Sequence, residues 1–113
     1  MQRDSAYLRD ILESARLAIA YLEGIDREPF ACNTQLQDAV IRRLEIIGEA
    51  ARRVSEETRV NYPALPWRQM IGMRNQVIHM YDGIDIEVVW ATVRKDLPQL
   101  LEALAGIVGG EEI

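Results

Sequence analysis

The stretch TQLQDAVIRRLEIIGEAARRV, residues 34–54, places Leu36, Val40, Leu44, Ile47, Ala51 and Val54 three or four positions apart. That spacing gathers them on one side of a 3.6-residue turn, so the stretch predicts an amphipathic α-helix. Thr34, with Gln37 three positions on, has the form of a capping box at its start. Gly48 sits inside the pattern at a cost of about 1 kcal/mol relative to alanine, which the close approach of another helix would justify.

The same period extends outward in both directions. Asp4 or Ser5 caps a first helix over about 5–23, in which Leu8, Ile11, Leu12, Ala15, Ile19 and Leu22 recur, and Gly24 stops it. Residues 24–32, containing Gly24 and Pro29, read as a loop. Downstream, Asn61, Pro63 and Pro66 break the chain, and Pro66 opens a third helix over about 66–80, where its missing N–H is not needed. Trp67, Met70, Ile71, Val77 and Ile78 supply the buried side of that helix, and Gly72 marks a second point of close approach. Asp82-Gly83 is a turn signal, after which Asp85 caps a fourth helix carrying Val89, Trp90, Val93, Leu97, Leu100, Leu101, Leu104 and Val108. Pro98 kinks or divides that helix, because it removes a hydrogen bond and its ring clashes with the preceding turn. Gly109 to Ile113 reads as a frayed tail. No segment alternates apolar and polar residues in the manner of a strand. The expected fold is therefore all-α, a single domain over 1–113 built as an up-and-down four-helix bundle. The apolar faces of its second and fourth helices are wide enough for a dimer seam.

Composition narrows the function. At 113 residues, 49% apolar and 27% charged, the chain is an ordinary globular domain rather than a multi-domain enzyme or a disordered segment. Its apolar runs, such as Leu17 to Leu22, fall far short of the roughly 20 residues that cross a bilayer, so a soluble, cytoplasmic chain is expected. One cysteine, Cys32, closes no intrachain disulfide, and one Cys with one His makes no zinc cluster; neither metal nor cofactor is expected. The net charge of −5 argues against nonspecific nucleic-acid binding by the whole surface. Residues 42–74 differ, with seven Arg against four acids. Arg42, Glu45, Glu49, Arg52 and Glu56 step along at helical spacing and read as surface ion pairs.

There is no G-x-G-x-x-G, P-loop or H-E-x-x-H motif. His79 is the one side chain whose ordinary pKa lies near neutrality, so acid–base chemistry at pH 7 most economically passes through it. Asn75, four positions earlier, shares its helix face and can orient the imidazole. Arg74 is five positions from His79, which on a straight helix is about 140° and 7.5 Å. Their joint action on one phosphate needs a loosened helix, converging side chains, or a second subunit. Trp67 and Trp90 fall in apolar stripes and read as core rather than as base-stacking platforms.

The segment Arg74-Asn75-Gln76-Val77-Ile78-His79, with Tyr81 two positions later, reads R-N-x-x-x-H-x-Y and resembles the HEPN superfamily, specifically its HepT-like toxins. Further matches are Ile46 to Ala51, Pro66-Trp67 with Ile71-Gly72-Met73, Val89-Trp90, and Asp96-Leu97-Pro98; together they cover about residues 4–105. The resemblance implies an all-α homodimer whose two motifs face one another across a cleft and act as a metal-independent endoribonuclease. Mapped here, His79 is the general acid/base for attack of a ribose 2′-OH, Arg74 stabilises the phosphoryl charge, and Asn75 positions His79 or the phosphate. Arg68 is a further RNA-binding candidate. The resemblance also implies a type VII-like toxin–antitoxin pair, in which a minimal nucleotidyltransferase antitoxin transfers AMP to Tyr81. The rival reading is a noncatalytic helical interaction or nucleotide-binding module that partners such a nucleotidyltransferase.

Overall fold

A computed structural model describes residues 2–78 and 85–111, with side chains described over 3–73 and 85–107. In chain order the elements are α1 (Gln2–Tyr21), α2 (Arg27–Ala31), α3 (Thr34–Arg53), α4 (Glu56–Asn61), α5 (Trp67–Ile78), α6 (Ile86–Ala91), a π-helical turn (Thr92–Asp96) and α7 (Leu97–Glu111). Among the described residues there is no strand. Four long rods make the bundle: α1, α3, α5, and the continuous α6–π–α7 rod. α1 packs against α3 and α7, and α3 packs against α5.

The core is built from the periodic stripes. Leu8, Ile11 and Ala15 of α1, with Leu22 just after it, meet Val40, Leu44, Ile47 and Ala51 of α3, with Met70 and Met73 of α5 and Val93, Leu97, Leu100 and Leu104 of the last rod, all buried. Each large aliphatic chain so buried contributes roughly 1.5–3 kcal/mol. Gly48 is buried on α3, where packing was expected. Gly72 is different: a methyl group built on it meets no atom of the described residues within 4 Å, so none of their helices approaches there.

Several local expectations are corrected. Asp4 does not cap α1, which already begins at Gln2. Its carboxylate is buried and instead accepts hydrogen bonds from the Ser55 N–H (3.0 Å), Ser55 Oγ (2.5 Å) and Thr58 Oγ1 (2.6 Å). The α3 cap is Asn33, one residue before Thr34, and its Oδ1 accepts from the Leu36 N–H at 3.0 Å. Gln37 completes no capping box; its Nε2 donates to the carbonyls of Phe30 and Ala31. Residues 24–32 are not all loop, since α2 forms there around a fully buried Phe30. α7 runs to Glu111, so residues 109–111 are helical rather than frayed. The Asp82-Gly83 turn lies outside the described residues.

Two expectations hold as stated, and a third takes a milder form. Gly24 has φ +74°, the left-handed conformation that ends a helix without a Cβ penalty. Asp85 caps α6, its carboxylate accepting from the N–H groups of Glu87 and Val88. The last rod changes from α to π geometry immediately before Pro98 without breaking, the Leu97 N–H bonding five residues back to the Thr92 carbonyl. This widened turn passes the chain into α7 with Pro98 in its first turn, where a missing N–H costs little.

Candidate functional site

α5 carries the candidate residues that the structure reaches. Pro66 stands just before it, and its carbonyl accepts the first helical bond, from the Met70 N–H at 2.9 Å. Trp67 is half-buried and donates Nε1–H to the Tyr62 carbonyl at 2.9 Å, which fixes the start of the helix against the preceding turn. Met70 and Met73 turn inward. At 100° per residue, Arg68, Gly72 and Asn75 then fall at i, i+4 and i+7 along one flank of α5. Arg68 is exposed, and the flank is open at Gly72. Arg74 occupies a helical position about 120° round the helix from Arg68. His79 and Tyr81 lie outside the described residues, and the side chains of Arg74 and Asn75 do as well. The structure thus places Arg68, Arg74 and Asn75 on one helix, and it does not bring Arg68 and Arg74 to one face.

The electrostatics are set by how the arginines are used. Arg59 donates Nη2 hydrogen bonds to the carbonyls of Ala51 and Arg52, satisfying the end of α3. Arg94 donates to the carbonyls of Leu22 and Ile25, with its guanidinium 4.6 Å over the Trp90 ring. Trp90 in turn lies 5.5 Å from Phe30, centroid to centroid, so it belongs to the core edge as its stripe implied. Arg42 pairs with Glu45 at 4.0 Å, part of the expected ladder. Arg27 forks onto Glu87, tying α2 to α6; both side chains are more than half exposed, so the pair contributes little to stability.

Two shallow cavities of about 250 and 350 Å³ lie on the α1–α3 face, both reaching Asp10 and Ile46 and both rimmed by charges of mixed sign. A third, of about 200 Å³, lies beside the motif helix, between Pro66 and Gln69 at the start of α5 and Asp96, Gln99 and Leu100 where the π turn enters α7. Pro66 and Asp96 stand thirty positions apart in the chain. That they share a cleft is a product of the tertiary fold. Among the described residues, no group of three or more His, Cys, Asp or Glu is arranged to hold a metal ion. No helix among them is long and apolar enough to cross a membrane.

Comparison with known proteins places this arrangement. The family described as Ribonuclease HepT-like matches residues 11–107, which span the bundle and the whole R-N-x-x-x-H-x-Y segment. The chain belongs to the HepT-like ribonuclease family. A Methanocaldococcus jannaschii protein provisionally named an RNase is 45% identical over 95 residues, covering 84% of this chain and 87% of the relative. A Thermococcus cleftensis protein, provisionally named ribonuclease HepT, is 44% identical over 94 residues, 83% of this chain and 86% of its own. A third relative, from Caldanaerobacter subterraneus subsp. tengcongensis, is provisionally named an RNase and is 34% identical over 112 residues, 99% of this chain and 100% of its own. No solved structure matches the chain.

Proposed function

We propose that this HepT-like chain is the toxin of a toxin–antitoxin pair, an endoribonuclease that works as a homodimer without a metal cofactor. The observation that carries the reading is the family match over 11–107; the R-N-x-x-x-H-x-Y residues Arg74, Asn75, His79 and Tyr81 lie within that span. Cleavage proceeds by transfer of the 2′-OH proton to His79 as the 2′-oxygen attacks the adjacent phosphorus. Arg74 offsets the charge that grows on the phosphoryl oxygens, an interaction of the kind often worth several kcal/mol in a transition state. The 5′-oxygen leaves with a proton from the second copy's His79, giving a 2′,3′-cyclic phosphate and a free 5′-OH. Two copies are needed because one chain supplies one imidazole and the reaction has one proton to take and one to give.

Tyr81 is the acceptor through which a nucleotidyltransferase antitoxin silences the toxin. One added adenylate brings negative charge and bulk to the mouth of the site and repels RNA phosphates. Expression of the wild type is expected to arrest growth, while His79→Ala is expected to grow normally and to retain its helical spectrum and dimeric mass. Equal toxicity of His79→Ala would remove His79 from the chemistry. With the partner and ATP, Tyr81→Phe is expected to gain no mass, where the wild type gains one or more AMP units. Adenylate mapped to another residue would overturn the Tyr81 assignment.

A further inference from the structure

The cleft beside the motif helix has a chemistry of its own. Its lining joins the apolar Ala64, Pro66, Leu100 and Ala103 with the polar Gln69, Asp96 and Gln99. None of the three polar side chains makes a hydrogen bond or ion pair with another described residue. At about 200 Å³ it is smaller than the roughly 300 Å³ at which pockets for drug-sized ligands begin, which suits a single flat heterocycle. No basic residue lines it, so it is not built for a phosphate. Asp96 closes the π turn, a local widening of the helix that frequently marks functional sites. Arg68, exposed, precedes Gln69 on α5, and the flank that is open at Gly72 continues toward Asn75.

We propose that this cleft is a nucleobase subsite selecting a base with an exocyclic amino group, through hydrogen bonds to Asp96, Gln69 and Gln99. A carboxylate accepts only, so set against the exocyclic position it favours the amino groups of cytosine, adenine or guanine over the O4 carbonyl of uracil. The glutamine amides offer both a donor and an acceptor to the neighbouring ring positions. The apolar side chains receive the base's faces. The subsite rests on the ribonuclease reading for its biological substrate, while its binding chemistry can be measured separately.

The test has two arms. In the first, the full ¹⁵N-labelled chain is titrated with AMP, CMP, GMP, UMP and inorganic phosphate while the side-chain amide signals of Gln69 and Gln99 are followed. The expected result is movement with AMP, CMP and GMP, little with UMP and none with phosphate. Asp96→Asn, nearly isosteric, should weaken CMP binding about tenfold relative to UMP, and Gln99→Ala, at an exposed position, should weaken all three amino-bearing nucleotides. No movement with any nucleotide, or equal movement with UMP and CMP, would overturn the subsite. In the second arm, short RNAs differing by cytosine or uracil at single positions are cleaved by the wild type and by Asp96→Asn. A cytosine preference at one position that Asp96→Asn loses about tenfold is expected; cleavage with no preference changed by Asp96→Asn would sink the subsite and leave the ribonuclease reading intact. Amide movement without any RNA cleavage would do the reverse.

Discussion

Asp4 carries a charge into a site where it is 4% exposed. Burial pushes its pKa up, yet the hydrogen bonds from Ser55 and Thr58, helped by the positive N-terminus, outweigh that and hold it below the ordinary carboxyl value of 3.8. The contribution of such a group is fully present above its ordinary pKa and is lost as the pH falls through its lowered folded value. Wild-type protein is therefore expected to lose stability below about pH 4 more steeply than Asp4→Asn, in urea titrations at stepped pH. Near neutrality Asp4→Ala should cost about 2–3 kcal/mol, because it strands the Ser55 N–H and two hydroxyls. A variant as stable as wild type at pH 7 would contradict this. The arginines teach a related lesson. Arg59 lies in the basic middle third, yet its guanidinium serves carbonyls of α3, so the local charge excess overstates what remains for a substrate.

At the level of elements, the α6 cap is a separable contribution. Asp85→Ala removes bonds to two N–H groups and should cost about 1 kcal/mol, read as a fall in Tm of roughly 4–8 °C; an unchanged Tm would show that the cap is idle. The four long rods were legible in the sequence because their stripes, such as Val40, Leu44, Ile47 and Ala51, repeat over several turns. α2 and α4 were not, because five or six residues hold too few positions to show a period. Their stability comes from elsewhere in the chain: Phe30 is wholly buried, and Ser55 is held by Asp4. Pro98 announced a break, but what forms is an unbroken π turn that accommodates an imino acid, and that depends on backbone adjustment rather than on residue pattern. The Arg74, Asn75, His79 and Tyr81 set lies within eight consecutive residues, so its resemblance to the HepT-like motif was legible in the sequence although spacing alone did not mark it as a site. The cleft of Gln69, Asp96 and Gln99 was not legible, since only folding sets residue 69 beside residue 96.

For the whole molecule, a net charge of −5 and an RNA substrate are reconciled by locality. In the proposed dimer two copies each of Arg74 and His79 would meet at one seam, and RNA would bind there while the acidic remainder keeps it from the rest of the surface. The proposed chemistry is then a property of the pair of chains, with each chain providing the bundle that presents α5. The most direct measurement is digestion of RNA in EDTA by purified, unmodified protein beside His79→Ala, with the product ends analysed. The account predicts cleavage by the wild type alone, leaving 2′,3′-cyclic phosphate and 5′-OH ends. Cleavage abolished by EDTA, cleavage that survives His79→Ala, or no cleavage by protein whose intact mass shows no adenylate would contradict it.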